Sequence, residues 1–363
     1  MRLRRGARWL ALLAALWLAP LTAVQADRAA YPAVSPGRPM SFPGDHGAHP
    51  QYRLEWWYVT GWLQGSRGQP LGFQVTFFRS RPNIGEANPS RFAASQLLFA
   101  HAALSDPAQG HLIHEQRSAR AGFGLAEAAS GNADVHIGDW SLLRHGDESY
   151  RVRIRGREMQ FDLKLVPTQP PWPQGDGGYS RKGRVAGEAS YYYSQPQLRV
   201  SGTLGGEGQR QEVQGRAWLD HEWSSSPLPA AAVGWDWLGI NLDDGGALMA
   251  FRIRDGAGRA LWSYASRRRS DGRGVAIAAG ELSLVPLRRW RSARTGAEYP
   301  VALHVVAGDM AFDLLPLQDD QELDARASTG NVYWEGAVSA VSGNRTIGRG
   351  YLELTGYFRP LKL

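Results

Sequence analysis

The 363-residue sequence contains no cysteine. This excludes a disulfide framework, a thiolate nucleophile, an iron–sulfur cluster and a cysteine-ligated zinc, and leaves core burial as the source of stability. Excess charge is scarce once its location is considered. The formal charge is +7, from 41 Lys+Arg against 34 Asp+Glu, but four arginines lie in the opening Met1-Arg-Leu-Arg-Arg-Gly-Ala-Arg8. That basic stretch, the apolar run Trp9 to Val24 and the small residues of Val24-Gln25-Ala26 follow the order of a secretory signal peptide. Cleavage after Ala26 leaves 337 residues with a net charge of +3, too small an excess to support a nucleic-acid partner. The mature chain is expected in the periplasm or outside the cell. No apolar run of about 18 residues follows the leader, so no further membrane span is expected. The mature chain also lacks a Gly-x-Ser-x-Gly elbow, which argues against serine-triad hydrolysis.

What the chain has in quantity is glycine, with 43 residues, and tryptophan, with 14. Short apolar segments separated by turn residues suggest many strands and few helices. Tyr52 to Leu63, Leu71 to Arg79, Ser95 to Leu104, Val135 to Leu143, Tyr150 to Ile154, Met159 to Val166, Ser190 to Tyr193 and Leu198 to Leu204 form a first series. A second runs from Trp235 to Leu242 through Gly350 to Phe358. Alternation such as Phe161-Asp-Leu-Lys-Leu-Val166 places every second side chain on a buried face. Two sets of about eight strands suit two closed barrels, which remove exposed sheet edges. A weak internal repeat agrees: Trp56-Trp57-Tyr-Val-Thr-Gly61 and Trp235-Asp-Trp237-Leu-Gly239 each precede a strand ending in arginine. The expected organisation is a signal peptide at 1–26, a linker at 27–44, one barrel domain at 45–232 and a second at 233–363, with Ser224 to Ala232 as the connection.

Two clusters hold polar and aromatic residues that are costly to bury. One is Asp45-His46-Gly-Ala-His49 with Glu55-Trp56-Trp57-Tyr58; the other is Trp218-Leu-Asp220-His221-Glu222-Trp223 with Trp235-Asp236-Trp237. Such density is expected where flat rings grip an apolar ligand and a few charged groups face it. His46 and His49 lack a carboxylate or third histidine at useful spacing, so no metal site is expected.

The strings Asp45-His-Gly-Ala-His-Pro50, Glu55-Trp-Trp-Tyr-Val-Thr-Gly61, Phe99-Ala-His-Ala-Ala-Leu-Ser-Asp106, Leu219-Asp-His-Glu-Trp-Ser224, Trp235-Asp-Trp-Leu-Gly239 and Gly350-Tyr-Leu-Glu-Leu-Thr-Gly356 resemble the AttH and carotenoid hydratase (CrtC, hydroxyneurosporene synthase) family over nearly the whole mature chain. The resemblance implies an all-β fold of two lipocalin-like (calycin) antiparallel β-barrels. Its members include cofactor-free hydratases, secreted proteins named as hydrolases, and components encoded beside ABC-type transporters. Hydration of an isolated double bond needs a protonated carboxylic acid, a site that tolerates a carbocation and a held water. The expected catalytic residues are Asp220 or Asp236 as the acid and His221 as the holder of the water. The expected ligand-binding residues are Trp223, Trp235, Trp237, Trp57, Tyr58, His46 and Glu55. A lipid or isoprenoid is the expected ligand, with a non-catalytic carrier serving an ABC-type system as the alternative.

Overall fold

The computed structural model describes residues 31–84, 88–90, 92–206, 209–226 and 228–361. The expected leader lies outside them. Apart from two three-residue 3-10 turns, the described secondary structure is β, arranged as a 13-stranded and a 10-stranded antiparallel sheet. In each, the first strand lies between the second and the last. Leu54–Gln64 pairs with Pro70–Ser80 on one side and Gln209–Ser226 on the other. Gly234–Leu242 likewise pairs with Ala247–Arg254 and Arg345–Leu354. The weak sequence repeat thus marks the same seam in two sheets that curl into a double β-barrel.

Several elements differ from the sequence reading, each for a local reason. Val135 to Leu143 is two strands, Asp134–Ile137 and Trp140–Arg144, because Gly138 takes φ 60° and turns the chain. Ser190 to Tyr193 and Leu198 to Leu204 belong to one strand, Ala189–Gly206, interrupted by a register shift between Gln195 and Leu198. Leu112–Arg120 is a strand whose mostly half-buried polar residues carry little alternation. The pairing of Gln209–Ser226 also runs into the segment expected to be a linker.

The period of two sorts the side chains of the seam strands into two destinations. Trp57 and Val59 join Phe73, Val75 and Trp223 inside the first barrel. Leu238, Ile240, Trp334 and Leu352 fill the second. Both lumens are therefore packed, and neither is an open calyx. The intervening residues Tyr58, Trp218, Trp237, Phe251 and Tyr351 form a third cluster where the outer faces of the barrels meet. Backbones approach closely there: a Cβ on Gly72 would lie 2.6 Å from the Ala337 Cβ and 2.7 Å from the Tyr351 hydroxyl. Trp62 Nε1 donates to the Gly350 carbonyl at 2.9 Å, and Ser105 Oγ donates to Gln321 Oε1 at 2.6 Å. The segment 167–178 crosses the junction. Its Gln169 amide donates to the Gly245 carbonyl at 2.8 Å, and Ser266 of the second barrel donates to Gln174 at 2.6 Å.

Candidate functional site

Between the two outer faces lies a cavity of about 300 Å³, at the small end of the range for ligand pockets. Strand Leu54–Gln64 contributes Trp56 and Tyr58, strand Gln209–Ser226 contributes Asp220 and Glu222, and strand Gly234–Leu242 contributes Trp235 and Trp237. Phe78, Phe99, Phe251 and Tyr333 supply further rings, and Lys182 the amino group. Two more acids enter from the second barrel. Glu335 and Glu353 are directly opposed partners on strands Asn331–Ser342 and Arg345–Leu354, and both line the cavity, Glu335 buried and Glu353 half-buried.

Asp220 is hydrogen-bonded on every side. Ser194 Oγ and Trp218 Nε1 donate to Oδ1 at 2.6 and 2.7 Å, and Tyr192 donates to Oδ2 at 2.6 Å. Trp237 Nε1 in turn donates to the Tyr192 hydroxyl at 3.1 Å. Burial outweighs these donors and pushes the Asp220 carboxyl up to about 7. Glu353 is pushed to about 7 by burial, against one hydrogen bond from Trp235 Nε1 at 2.8 Å. Glu335 is raised well above the ordinary glutamate value by burial and by the facing Glu353. Its carboxyl and the Tyr58 hydroxyl are buried and interact with each other. Glu222 has Lys182 Nζ 3.0 Å away as its ion-pair partner.

Of the residues expected from sequence, Asp220, Tyr58, Trp235, Trp237 and Glu55 line the cavity. The others do not. Alternation turns His221 and Trp223 away from Asp220 and Glu222, into the first barrel. There His221 stacks on Trp57 with ring centroids 4.7 Å apart, and His49 stacks on Trp223 at 3.8 Å. Glu55 Oε1 receives His49 Nδ1 at 2.8 Å and His221 Nε2 at 2.9 Å, while Arg79 Nε donates to Oε2 at 2.8 Å. Asp45 holds the far nitrogen of each ring: Oδ1 is 3.1 Å from His49 Nε2, and its backbone carbonyl is 3.0 Å from His221 Nδ1. The carboxylate and second histidine that local spacing did not supply thus reach His49 from other strands. Donor atoms of His49, Glu55 and His221 lie within 4.8 Å of one another, the spacing a metal would need. The same atoms already satisfy one another as hydrogen-bond partners. His46 sits deeper, its Nδ1 2.7 Å from the Tyr193 hydroxyl, and burial pushes its imidazole down to about 3. The 31–52 segment, expected in part as a linker, is thereby pinned to the first barrel.

Asp236 faces the opposite side of its strand from Trp235 and Trp237. It is ion-paired with Arg252 at 2.6 Å and Arg254 at 2.8 Å and accepts from the Tyr357 hydroxyl at 2.9 Å, so it closes one end of the second barrel. One serine in the lining, Ser328, has its Oγ 2.9 Å from His101 Nε2. Burial pushes His101 down to about 3, and its other nitrogen meets the Tyr333 hydroxyl. Among the described residues, no carboxylate is hydrogen-bonded to His101 to stabilise the imidazolium that a serine nucleophile requires. Sequence reasoning missed Glu335 and Glu353. A signal was present: Val332-Tyr-Trp-Glu-Gly-Ala-Val338 is apolar on both faces, so its one charge falls on a buried surface.

The chain matches the model of the family described as AttH-like over residues 33–357. A solved protein of Nitrosomonas europaea assigned to AttH is 51% identical, with a TM-score of 0.84 over 90% of this chain and 99% of its own. The fold is shared with kievitone hydratase from Nectria haematococca, at 13% identity and a TM-score of 0.68 over 90% of this chain and 96% of that one. CghA with Sch210972 aligns at 14% identity and a TM-score of 0.51, over 90% and 95%. At these two identities the likeness is one of fold. No curated protein matches this chain.

Proposed function

This chain belongs to the AttH-like family, and from that premise we propose that it is an exported hydratase, adding water across a carbon–carbon double bond of an apolar, isoprenoid-like ligand held between its barrels. The observation that carries this reading is the group of three carboxyls, Asp220, Glu335 and Glu353, whose pKa values are raised by desolvation inside an aromatic cavity. Carboxyls kept protonated near neutral pH are the acids that alkene protonation needs. That one fold relative is named a hydratase is in accord, and the basic, apolar and small-residue order of the leader supports export.

The hydrogen bonds divide the labour. The three donors to Asp220 hold that carboxyl in place, whereas the Glu335–Glu353 pair, with fewer hydrogen bonds, is free to act as the acid. The pair delivers one proton to the less substituted alkene carbon, and the carbocation forms on its neighbour. Trp56, Trp235 and Trp237 present rings to that charge, each contributing about 0.5–2 kcal/mol. Water then adds its oxygen to the cation and returns one proton to the pair, so the acid is regenerated and the net change is one water. Glu335→Gln and Glu353→Gln are expected to lower turnover of a terpenoid alkene by about 10²-fold or more, the scale of general acid catalysis. Unchanged turnover in both, with circular dichroism unaltered, would remove the assignment. The rings lining the cavity equally favour a carrier for such a ligand; tight binding without a product of one added water would select that reading.

A further inference from the structure

The cavity lining has more acid than base. Glu55 is matched by Arg79 and Glu222 by Lys182. Asp220, Glu335 and Glu353 have no cationic side chain at ion-pair distance among the described residues. Buried carboxyls resolve this in one of two ways, by keeping a proton or by taking a cation from outside. We propose that the cavity also binds a hydrophobic organic cation, an ammonium-bearing amphiphile whose head sits between Trp56, Trp235 and the Glu335–Glu353 pair. This holds whether or not the site hydrates an alkene.

The protein contains its own example of the recognition. Lys182 Nζ lies 4.1 Å from the centroid of Phe251 and 4.9 Å from that of Tyr192, with Glu222 completing the cage. An ammonium is thus already held in this cavity by aromatic faces and one carboxylate, the chemistry of aromatic cages. The second half of the cavity repeats the ingredients without the cation. Trp235 is fastened to Glu353 at 2.8 Å, and the Tyr58 hydroxyl and the Glu335 carboxyl interact with each other, with no cation beside them among the described residues. The aromatic walls supply the contact that an alkyl tail would make.

Proton and ligand would compete for the same carboxyls. The charged and titratable groups around the head position are Glu335, Glu353, Asp220 and the Glu222–Lys182 pair, with Tyr58, Tyr333 and neutral His101 at its margin. Desolvation favours the protonated form of the first three, so affinity for a fixed cation should fall as pH is lowered, by up to about tenfold for each pH unit and carboxyl displaced. The test uses intrinsic tryptophan fluorescence and calorimetry on the mature protein, with octyltrimethylammonium and octanol as probes at pH 8 and pH 6. The expected results are at least about tenfold tighter binding of the ammonium at pH 8, a smaller margin at pH 6, and proton release seen by comparing buffers of different ionisation enthalpy. Glu353→Gln and Glu335→Gln should each reduce the margin while leaving octanol binding unchanged. Equal affinity for the two probes at pH 8, or a margin that survives both substitutions, would overturn the proposal. Because the readout is binding, a failure here is distinct from a failure to form hydrated product.

Discussion

Asp220 and Glu353 each titrate near 7 when folded, against ordinary values of 3.8 and 4.5. Between those limits the folded chain holds protons that the unfolded chain has lost, so this contribution to stability is whole below about pH 4 and declines as pH rises to 7. Asp45 and Glu55 act in the opposite sense. Burial would raise both, but His49, Arg38, His221 and Arg79 hold them below the usual carboxylate range, and their contribution is lost only as the solution becomes strongly acidic. Asp220→Asn can direct its carbonyl to Ser194 and Trp218 and its amide to Tyr192. It should therefore fold and reduce the loss of stability between pH 5 and pH 8 by about 1–3 kcal/mol, measured by denaturant unfolding at both pH values. An unchanged slope would mean that Asp220 is already ionised. Arg79→Ala leaves Glu55 buried with one fewer partner and should cost about 3–5 kcal/mol in the same assay. Asp236→Asn, which weakens its ties to Arg252 and Arg254, should lower the melting temperature while turnover per folded molecule is retained.

Strand alternation made most elements legible from sequence, and where it failed a physical cause is visible. Leu112–Arg120 carries polar residues on both faces, so no period of two shows. Ala189–Gly206 contains a register shift and a left-handed Gln197, at φ 59°, which made one strand resemble two. Alternation also says that a strand has two faces without saying what covers the second. This is why Asp220 and His221, adjacent in sequence, were expected in one site and lie in two. Gly72 lies where the strand Pro70–Ser80 meets Ala337 and Tyr351 of the second barrel. Gly72→Val should force the outer faces apart and destabilise the protein by about 1–3 kcal/mol. Tryptophan emission should shift to the red as the walls of the cavity gain water. An unshifted spectrum would show that the junction accommodates the side chain elsewhere.

The two packed barrels divide the work of the molecule. Each buries its own core, and their outer faces together enclose a space that neither encloses alone. The sequence signals for two barrels were strong because each strand announces its own pattern; those for the cavity were weak because it exists only once the halves meet. Half of the site was nevertheless visible, in Tyr58, Asp220, Trp235 and Trp237, while Glu335 and Glu353 required the structure. A ligand bound here touches both barrels and should stabilise the folded chain by about 2.7 kcal/mol at a hundred times its Kd. The central claim is that the enclosed acids hydrate an alkene, and product analysis in isotopically labelled water tests it most directly. The account predicts that an isoprenoid alkene gains one labelled water with the mature protein and does not with Glu335→Gln or Glu353→Gln. Absence of that product with the unaltered protein across isoprenoid alkenes that bind the cavity, or its undiminished formation by both variants, would contradict the account.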